Sequence, residues 1–172
     1  MRRVIRAGMF ETNSSSCHSI MIPGTKSPEF NYDVFVNRDG YIHSSFGEFG
    51  WEIASHYSFN MKLSYALTMV AETEIYDTEF YETEGFKAIN NIIKEKTRAE
   101  GVIVDHPYFK REIWSDELTG RIHSWMSHDG YIDHQSCEDY NSLNDFLKDY
   151  DISLERFLFD DNVCVYTDND NH

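Results

Sequence analysis

Apolar positions along the chain change from a period of two to a helical period of about 3.6 and back again, so strands and helices alternate in blocks. Residues 2–10 (RRVIRAGMF) and Ser19–Ile22 read as strands, joined by the polar loop Glu11–His18. Tyr32–Val36 and Tyr41–Ser45 flank Asn37-Arg38-Asp39-Gly40, and Asp-Gly between two such runs predicts a hairpin. The glycines of Phe46-Gly47-Glu48-Phe49-Gly50-Trp51 suggest a loop that buries rings. In Ser58–Thr73, Leu63, Leu67 and Val70 recur at helical spacing, and Ser58 or Asn60 can cap the start.

A second helix is expected over Glu84–Ala99, with Phe86, Ile89, Ile92 and Ile93 on one face and Gly101 just past the end. Val102–Val104 reads as a short strand. Residues 106–136 show no clear period, although Asp129-Gly130 marks a turn before Tyr131-Ile132. Ser142–Tyr150 predicts a helix, with Ser142 and Asp145 spaced as a capping box, and a shorter helix follows from Ser153. Val163–Thr167 closes the pattern as a strand. The fold class expected is α+β: a mainly antiparallel sheet with two to four packed helices, in a single domain over residues 1–172.

Composition narrows the function classes. Hydrophobic residues make up 41% of the chain and aromatic ones 15%, enough for a packed core at 172 residues. No run of about 18 apolar residues is present, and no apolar segment follows the basic start Met1–Arg6, so neither a membrane span nor a secretory leader is expected. Cys17, Cys137 and Cys164 are an odd, widely spaced set, which fits reduced thiols and a cytoplasmic location. The net charge of −15 opposes direct binding to nucleic acid or anionic membranes and favours a partner with a basic surface.

Three polar features are candidates for chemistry. In Glu11–Ser19, hydroxyls and loop N–H groups beside His18 can form a concavity for an anion, with His18 as general acid or base. Between His123 and Cys137 lie His123, His128, Asp129, Asp133, His134 and Cys137. Their spacing fits no familiar metal signature, so no metal ligands are assigned and the cofactor stays open. His43-Ser44-Ser45 and His134-Gln135-Ser136 are a pair of His-x-Ser motifs of the kind used by two-histidine phosphoesterases, and His128-Asp129 is an isolated HD pair. Finally, Glu72, Glu74, Asp77, Glu79, Glu82 and Glu84 are interleaved with Tyr76, Phe80 and Tyr81 and contain no Lys or Arg. Such a run can imitate a phosphate backbone at a protein interface.

Phe10-Glu11-Thr12-Asn13-Ser14-Ser15-Ser16-Cys17-His18-Ser19 resembles the FETNSSS-x-HS signature of an uncharacterised family of short phage and Firmicute proteins. Phe49-Gly50-Trp51, Lys62-Leu63-Ser64-Tyr65, Gly130–Ser136 and Tyr166–Asn171 resemble later blocks of that family. The resemblance implies a phage or mobile-element origin, and one site built from the serine loop, His18 and Asp133-His134. Two expectations follow. The first is an accessory protein that binds and inhibits a basic host macromolecule through Glu72, Glu74, Tyr76, Asp77, Glu79, Tyr81, Glu82 and Glu84. The second is a small-molecule or nucleotide-binding protein, or a phosphoester hydrolase. It would use His18 and His134 for proton transfer, and Asn13, Ser14, Ser15, Ser16, Ser19, Asp133 and Ser136 for the ligand.

Overall fold

A computed structural model of the chain describes residues 16–21, 27–50, 52–75, 78–115, 122–133 and 140–169. The expected strand 2–10 lies outside them, as do Asn13, Ser14, Ser15, Tyr76, Asp77, His134, Ser136 and Cys137. The architecture is α+β.

The strands are β1 (Ser16–Met21), β2 (Ile42–Ser44), β3 (Glu48–Phe49), β4 (Ala54–His56), β5 (Val102–Val104), β6 (Phe109–Ser115), β7 (Ile122–His128), β8 (Tyr131–Ile132) and β9 (Cys164–Asn169). The α-helices are α1 (Phe59–Glu74), α2 (Glu84–Lys96), α3 (Leu143–Asp149) and α4 (Leu154–Phe159), with a 3-10 turn at Phe80–Glu82. The largest sheet is antiparallel in the order β1-β9-β4, so the last strand in sequence lies in its centre. β6 and β7 form an antiparallel hairpin, whereas β2 pairs with β5 and β3 with β8 in parallel.

Side-chain caps start each α-helix where the sequence places a short hydroxyl residue. Ser58, Thr83, Ser142 and Ser153 accept from Met61, Phe86, Asp145 and Arg156 N–H respectively. The apolar face read for α1 understates its burial. Lys62, Leu63, Tyr65 to Ala71 and Thr73 are all buried, because α1 packs against α2, α3, α4 and β8 together. Two of its hydroxyls are satisfied within the helix: Thr68 and Thr73 donate to the Ser64 and Met69 carbonyls, and Thr68 also accepts from the Gly47 N–H.

The expected hairpin at Asp39-Gly40 is replaced by a turn without a paired strand. The turn forms, with Gly40 at φ +88° and Asn37 N–H donating to the Tyr41 carbonyl at 2.8 Å. But Tyr32–Val36 is not a strand, and β2 takes β5 as its partner instead. The reason lies in the Tyr32 side chain, which packs on Phe159 and donates to Glu155 at 2.6 Å, drawing its segment onto α4. The similar Asp129-Gly130 turn also feeds a parallel pair. Here Gly130, at φ +76°, passes so close to β3 that a Cβ would stand 2.6 Å from the Gly47 carbonyl oxygen. Only glycine allows the Tyr131 N–H to reach that carbonyl at 2.9 Å.

Candidate functional site

His18 was expected in a polar loop; it stands inside β1, facing the core. Opposite residues of an antiparallel pair share a face, so His18, Thr167 and Ala54 form one rung and Ile20, Val165 and His56 the next. That face looks onto α1, where the His18 and Tyr65 rings lie 6.1 Å apart. Phe49 bridges onward, its ring 4.9 Å from Tyr65 and 5.6 Å from His56. The parallel β3–β8 pair then delivers Asp133, whose N–H donates to the Phe49 carbonyl at 2.9 Å. The His18 and His56 rings therefore flank one aromatic pair, and Asp133 is close enough to act on the His18 charge.

The electrostatics of this site are unusual for a histidine. His18 is only 7% exposed, and among the described residues neither ring nitrogen has a hydrogen-bond partner. Burial pushes its pKa down to about 4, against the opposing pull of Asp133 and of the Gly50 carbonyl; His56 lowers it further. The Gly50 carbonyl favours the charged ring, yet the contact does not reach hydrogen-bond geometry. Burial also lowers the pKa of His56. Both imidazoles are thus neutral at pH 7. The backbone around them is fixed: Thr167 donates to the Glu52 carbonyl at 2.6 Å, and Tyr150 donates to the His18 carbonyl at 3.4 Å.

Of the residues read from sequence, His18 and Asp133 come together. Ser19 does not join them, because the pleat turns it to the other face of β1. His56 is an addition that sequence reading missed. It sits in a three-residue strand with no alternating pattern, and only the β4–β9 register reveals its direction. Compared with known protein families, curated proteins and solved structures, the chain matches none.

The other histidines have different surroundings. His43 of the first His-x-Ser motif is held by two carboxylates, Nε2 at 2.6 Å from Asp39 and Nδ1 at 2.7 Å from Asp105. Both ring nitrogens face acceptors, so the geometry suits imidazolium, and these two bonds raise the pKa of His43. No lone pair is left for general-base chemistry. A group whose pKa is raised in the folded state adds stability below its unfolded value near 6.5, and that stability is lost as pH rises through the folded value. Urea midpoints of the wild type and His43→Gln should therefore differ most at pH 6 and converge by pH 9. A constant gap across that range would show that His43 is held by packing alone.

His128 is not part of an HD pair on a helix. It ends β7, with Nδ1 at 2.8 Å from the Asp129 carbonyl and Nε2 at 3.7 Å from Glu72. Burial, the largest influence, lowers its pKa, but Glu72 and the Asp129 carbonyl together outweigh it and the net direction is up. Among the described residues, no three His, Cys, Asp or Glu side chains gather to hold a metal ion. No described helix is long and apolar enough to cross a membrane.

The acidic run is divided by the fold. Glu72 faces His128, and both Glu74 oxygens accept backbone N–H groups. Glu79, Glu82 and Glu84 are exposed, with Lys87 at 3.3 Å from Glu82 and 3.9 Å from Glu84. Tyr81 is 43% exposed, yet its ring is braced edge-on by Phe80 and Phe86.

Proposed function

We propose that this chain binds a small polar ligand on the α1-facing side of the β1-β9-β4 sheet, where His18 and His56 lie and Asp133 acts on the His18 charge. The observation that carries this reading is the buried His18 ring with no described partner at either nitrogen. A buried polar group left without a partner costs about 1–3 kcal/mol, so the imidazole is kept at the expense of stability. A ligand that supplies the missing partner offsets that cost when it binds. With a pKa of about 4, His18 is a poor proton donor at pH 7, which favours sequestration over general-acid hydrolysis of a phosphoester.

Thermal melting of the wild type and His18→Phe, each screened against polar metabolites, tests this. Phe keeps a planar ring of similar size without the orphaned nitrogens. The unliganded variant should melt higher than the wild type by about 2–4 °C for each kcal/mol recovered. Stabilisation by a ligand should appear in the wild type and vanish in the variant. A variant that melts lower, with no metabolite stabilising the wild type, makes His18 a structural residue and ends the reading.

A second reading, a phage-type accessory protein that engages a basic host macromolecule, is favoured by the ring of Tyr81. It is braced and half-exposed, and exposed carboxylates flank it. Pre-ordered aromatic side chains of this kind anchor interfaces. Replacing Glu79, Glu82 and Glu84 together by Lys should abolish capture of a basic partner from host lysate, while His18→Phe leaves it intact. Capture that survives the triple replacement counts against this reading.

A further inference from the structure

Tyr32–Val36 carries the side-chain pattern of a β-strand but has no strand beside it. Burial alternates along it: Tyr32, Val34 and Val36 pack against the core, while Asn31, Asp33 and Phe35 are exposed, Phe35 at 77%. Both ends are pinned. Phe30 bridges to Asp160, with Asp161 N–H donating to the Glu29 carbonyl at 3.0 Å and Asn31 N–H to the Phe159 carbonyl at 2.8 Å. That pairing stops at Asn31, because the neighbouring chain, followed back from Phe159, is α4. At the far end, Asn37 N–H donates to the Tyr41 carbonyl at 2.8 Å.

In an extended chain the N–H and C=O groups of successive residues leave by opposite edges. Asn31, Asp33 and Asn37 share one edge. Their N–H groups have partners in the Phe159 carbonyl, the Asn31 side-chain oxygen and the Tyr41 carbonyl. Tyr32, Val34 and Val36 share the other edge, and among the described residues nothing bonds to their main chain. Main-chain groups already extended and held at both ends are a template for one more strand, since the entropy of straightening them is lost in folding.

The charge around this edge selects its occupant. No Lys or Arg occurs between Ser27 and Asn37, and Glu29 and Asp33 are exposed. Asp161, exposed as well, lies beside them and accepts from Asn31 Nδ2 at 3.4 Å. A second copy of a chain carrying a net charge of −15 would bring the same carboxylates against these. A basic segment meets complementary charge, and its cations can also lie on the open Phe35 ring.

We propose that the Tyr32–Val36 edge binds an extended, lysine- or arginine-rich segment of another protein as an added β-strand. Main-chain bonds to Tyr32, Val34 and Val36 hold the segment, and its basic side chains lie on the outer face beside Asp33 and Phe35. This edge shares no residue with the His18 region or the Tyr81 surface, and its occupation depends on neither.

Amide exchange followed by NMR in the full-length protein tests this, with a blocked heptapeptide of alternating lysine and valine as the probe. Exchange at Tyr32, Val34 and Val36 should slow by about tenfold or more at saturation, while Phe35, on the other edge, keeps its rate. Asp33→Lys, a change at an exposed side chain, should weaken binding by about fivefold to tenfold. Glutamate in place of the probe's lysines, or N-methylation of its backbone, should abolish the protection. If the glutamate peptide protects the same amides, the basic class is overturned. If the N-methylated peptide binds as well as the unmodified one, charge alone holds it and strand addition is overturned. Protection that rises with protein concentration in the absence of peptide makes a second copy the occupant, and overturns the proposal. Unchanged exchange with the lysine peptide at about 1 mM overturns it too.

Discussion

Asp160→Ala is expected to cost about 3–5 kcal/mol, the range for breaking a buried, hydrogen-bonded charge. Asp160 follows α4 and is fully buried. Its carboxylate accepts from Glu29 N–H at 3.0 Å, from Asn162 N–H at 3.0 Å and from Arg156 Nε at 3.1 Å. It thus ties the segment before Phe30, the end of α4 and the turn into β9 to one point. The neighbouring Lys62 increases the effect. This lysine is completely buried on α1, and its ammonium donates to the Asp160 main-chain carbonyl at 2.8 Å. Burial lowers its pKa to about 8, and the charges of Asp161 and then Asp160 resist that fall. Removing the Asp160 charge leaves Lys62 with less compensation and Arg156 without its partner.

The pH dependence of the same group has a definite sign. Burial alone would raise the Asp160 pKa, but the bonds from Glu29, Asn162 and Arg156 outweigh it and lower the value. A carboxylate lowered in the folded state contributes stability above its unfolded pKa, and loses it as pH falls through the folded one. Urea unfolding should therefore show the gap between wild type and Asp160→Ala at pH 7 closing toward pH 2. A loss below about 1 kcal/mol at pH 7 would mean that the three bonds hold nothing that packing does not already hold.

Glu74→Ala is the second large effect, at about 3 kcal/mol. Glu74 lies in the last turn of α1 and reaches two other helices. Oε2 accepts from Gly85 N–H in the first turn of α2 at 2.7 Å, and Oε1 from Leu143 N–H at the start of α3 at 3.1 Å. First-turn N–H groups have no partner within their own helix, and a carboxylate there also meets the positive end of the helix dipole. A hydrogen bond to a charged acceptor contributes about 1.5–3 kcal/mol, so losing two part-buried ones, each at the low end of that range, gives the estimate. Glu74→Gln separates the two bonds, because the amide keeps one oxygen and turns its NH2 toward the other N–H. Hydrogen exchange should speed up at both Gly85 and Leu143 in the alanine variant, and mainly at one of them in the glutamine variant. Unchanged exchange at both amides in Glu74→Ala would show that they are protected by something other than Glu74.

These two residues show where sequence reading stops. Glu74 belongs to an acidic run that, read along the chain, looks like a surface for a basic partner. Nothing within a few residues of Glu74 indicates that Leu143, 69 positions away, will place an N–H against it. Asp160 likewise sits beside Asp161 in an acidic pair, and its burial becomes visible only once Glu29, 131 positions earlier, lies against it.

What the sequence by itself determined is what acts over a few residues. The helix starts at Ser58, Ser142 and Ser153 follow from a hydroxyl that meets an N–H three positions on. The turns at Gly40 and Gly130 follow from positive φ angles that a residue without Cβ adopts at low cost. The strand at Val102–Val104 and most of β9, read as Val163–Thr167, follow from short apolar, β-branched runs, whereas Asp168 and Asn169 join β9 through pairing with β1. Tertiary structure decided which strand pairs with which, since a backbone edge accepts any partner and packing chooses among them. That choice gave β2 to β5 instead of to Tyr32–Val36, and set β9 between β1 and β4. The candidate site belongs to the same class of outcome. His18 and Asp133 are legible as polar residues in distinctive motifs, but their meeting depends on two separate strand registers, and His56 joins through a third. The neutrality of His18 is also tertiary in origin, because desolvation comes from the whole core closing over one ring.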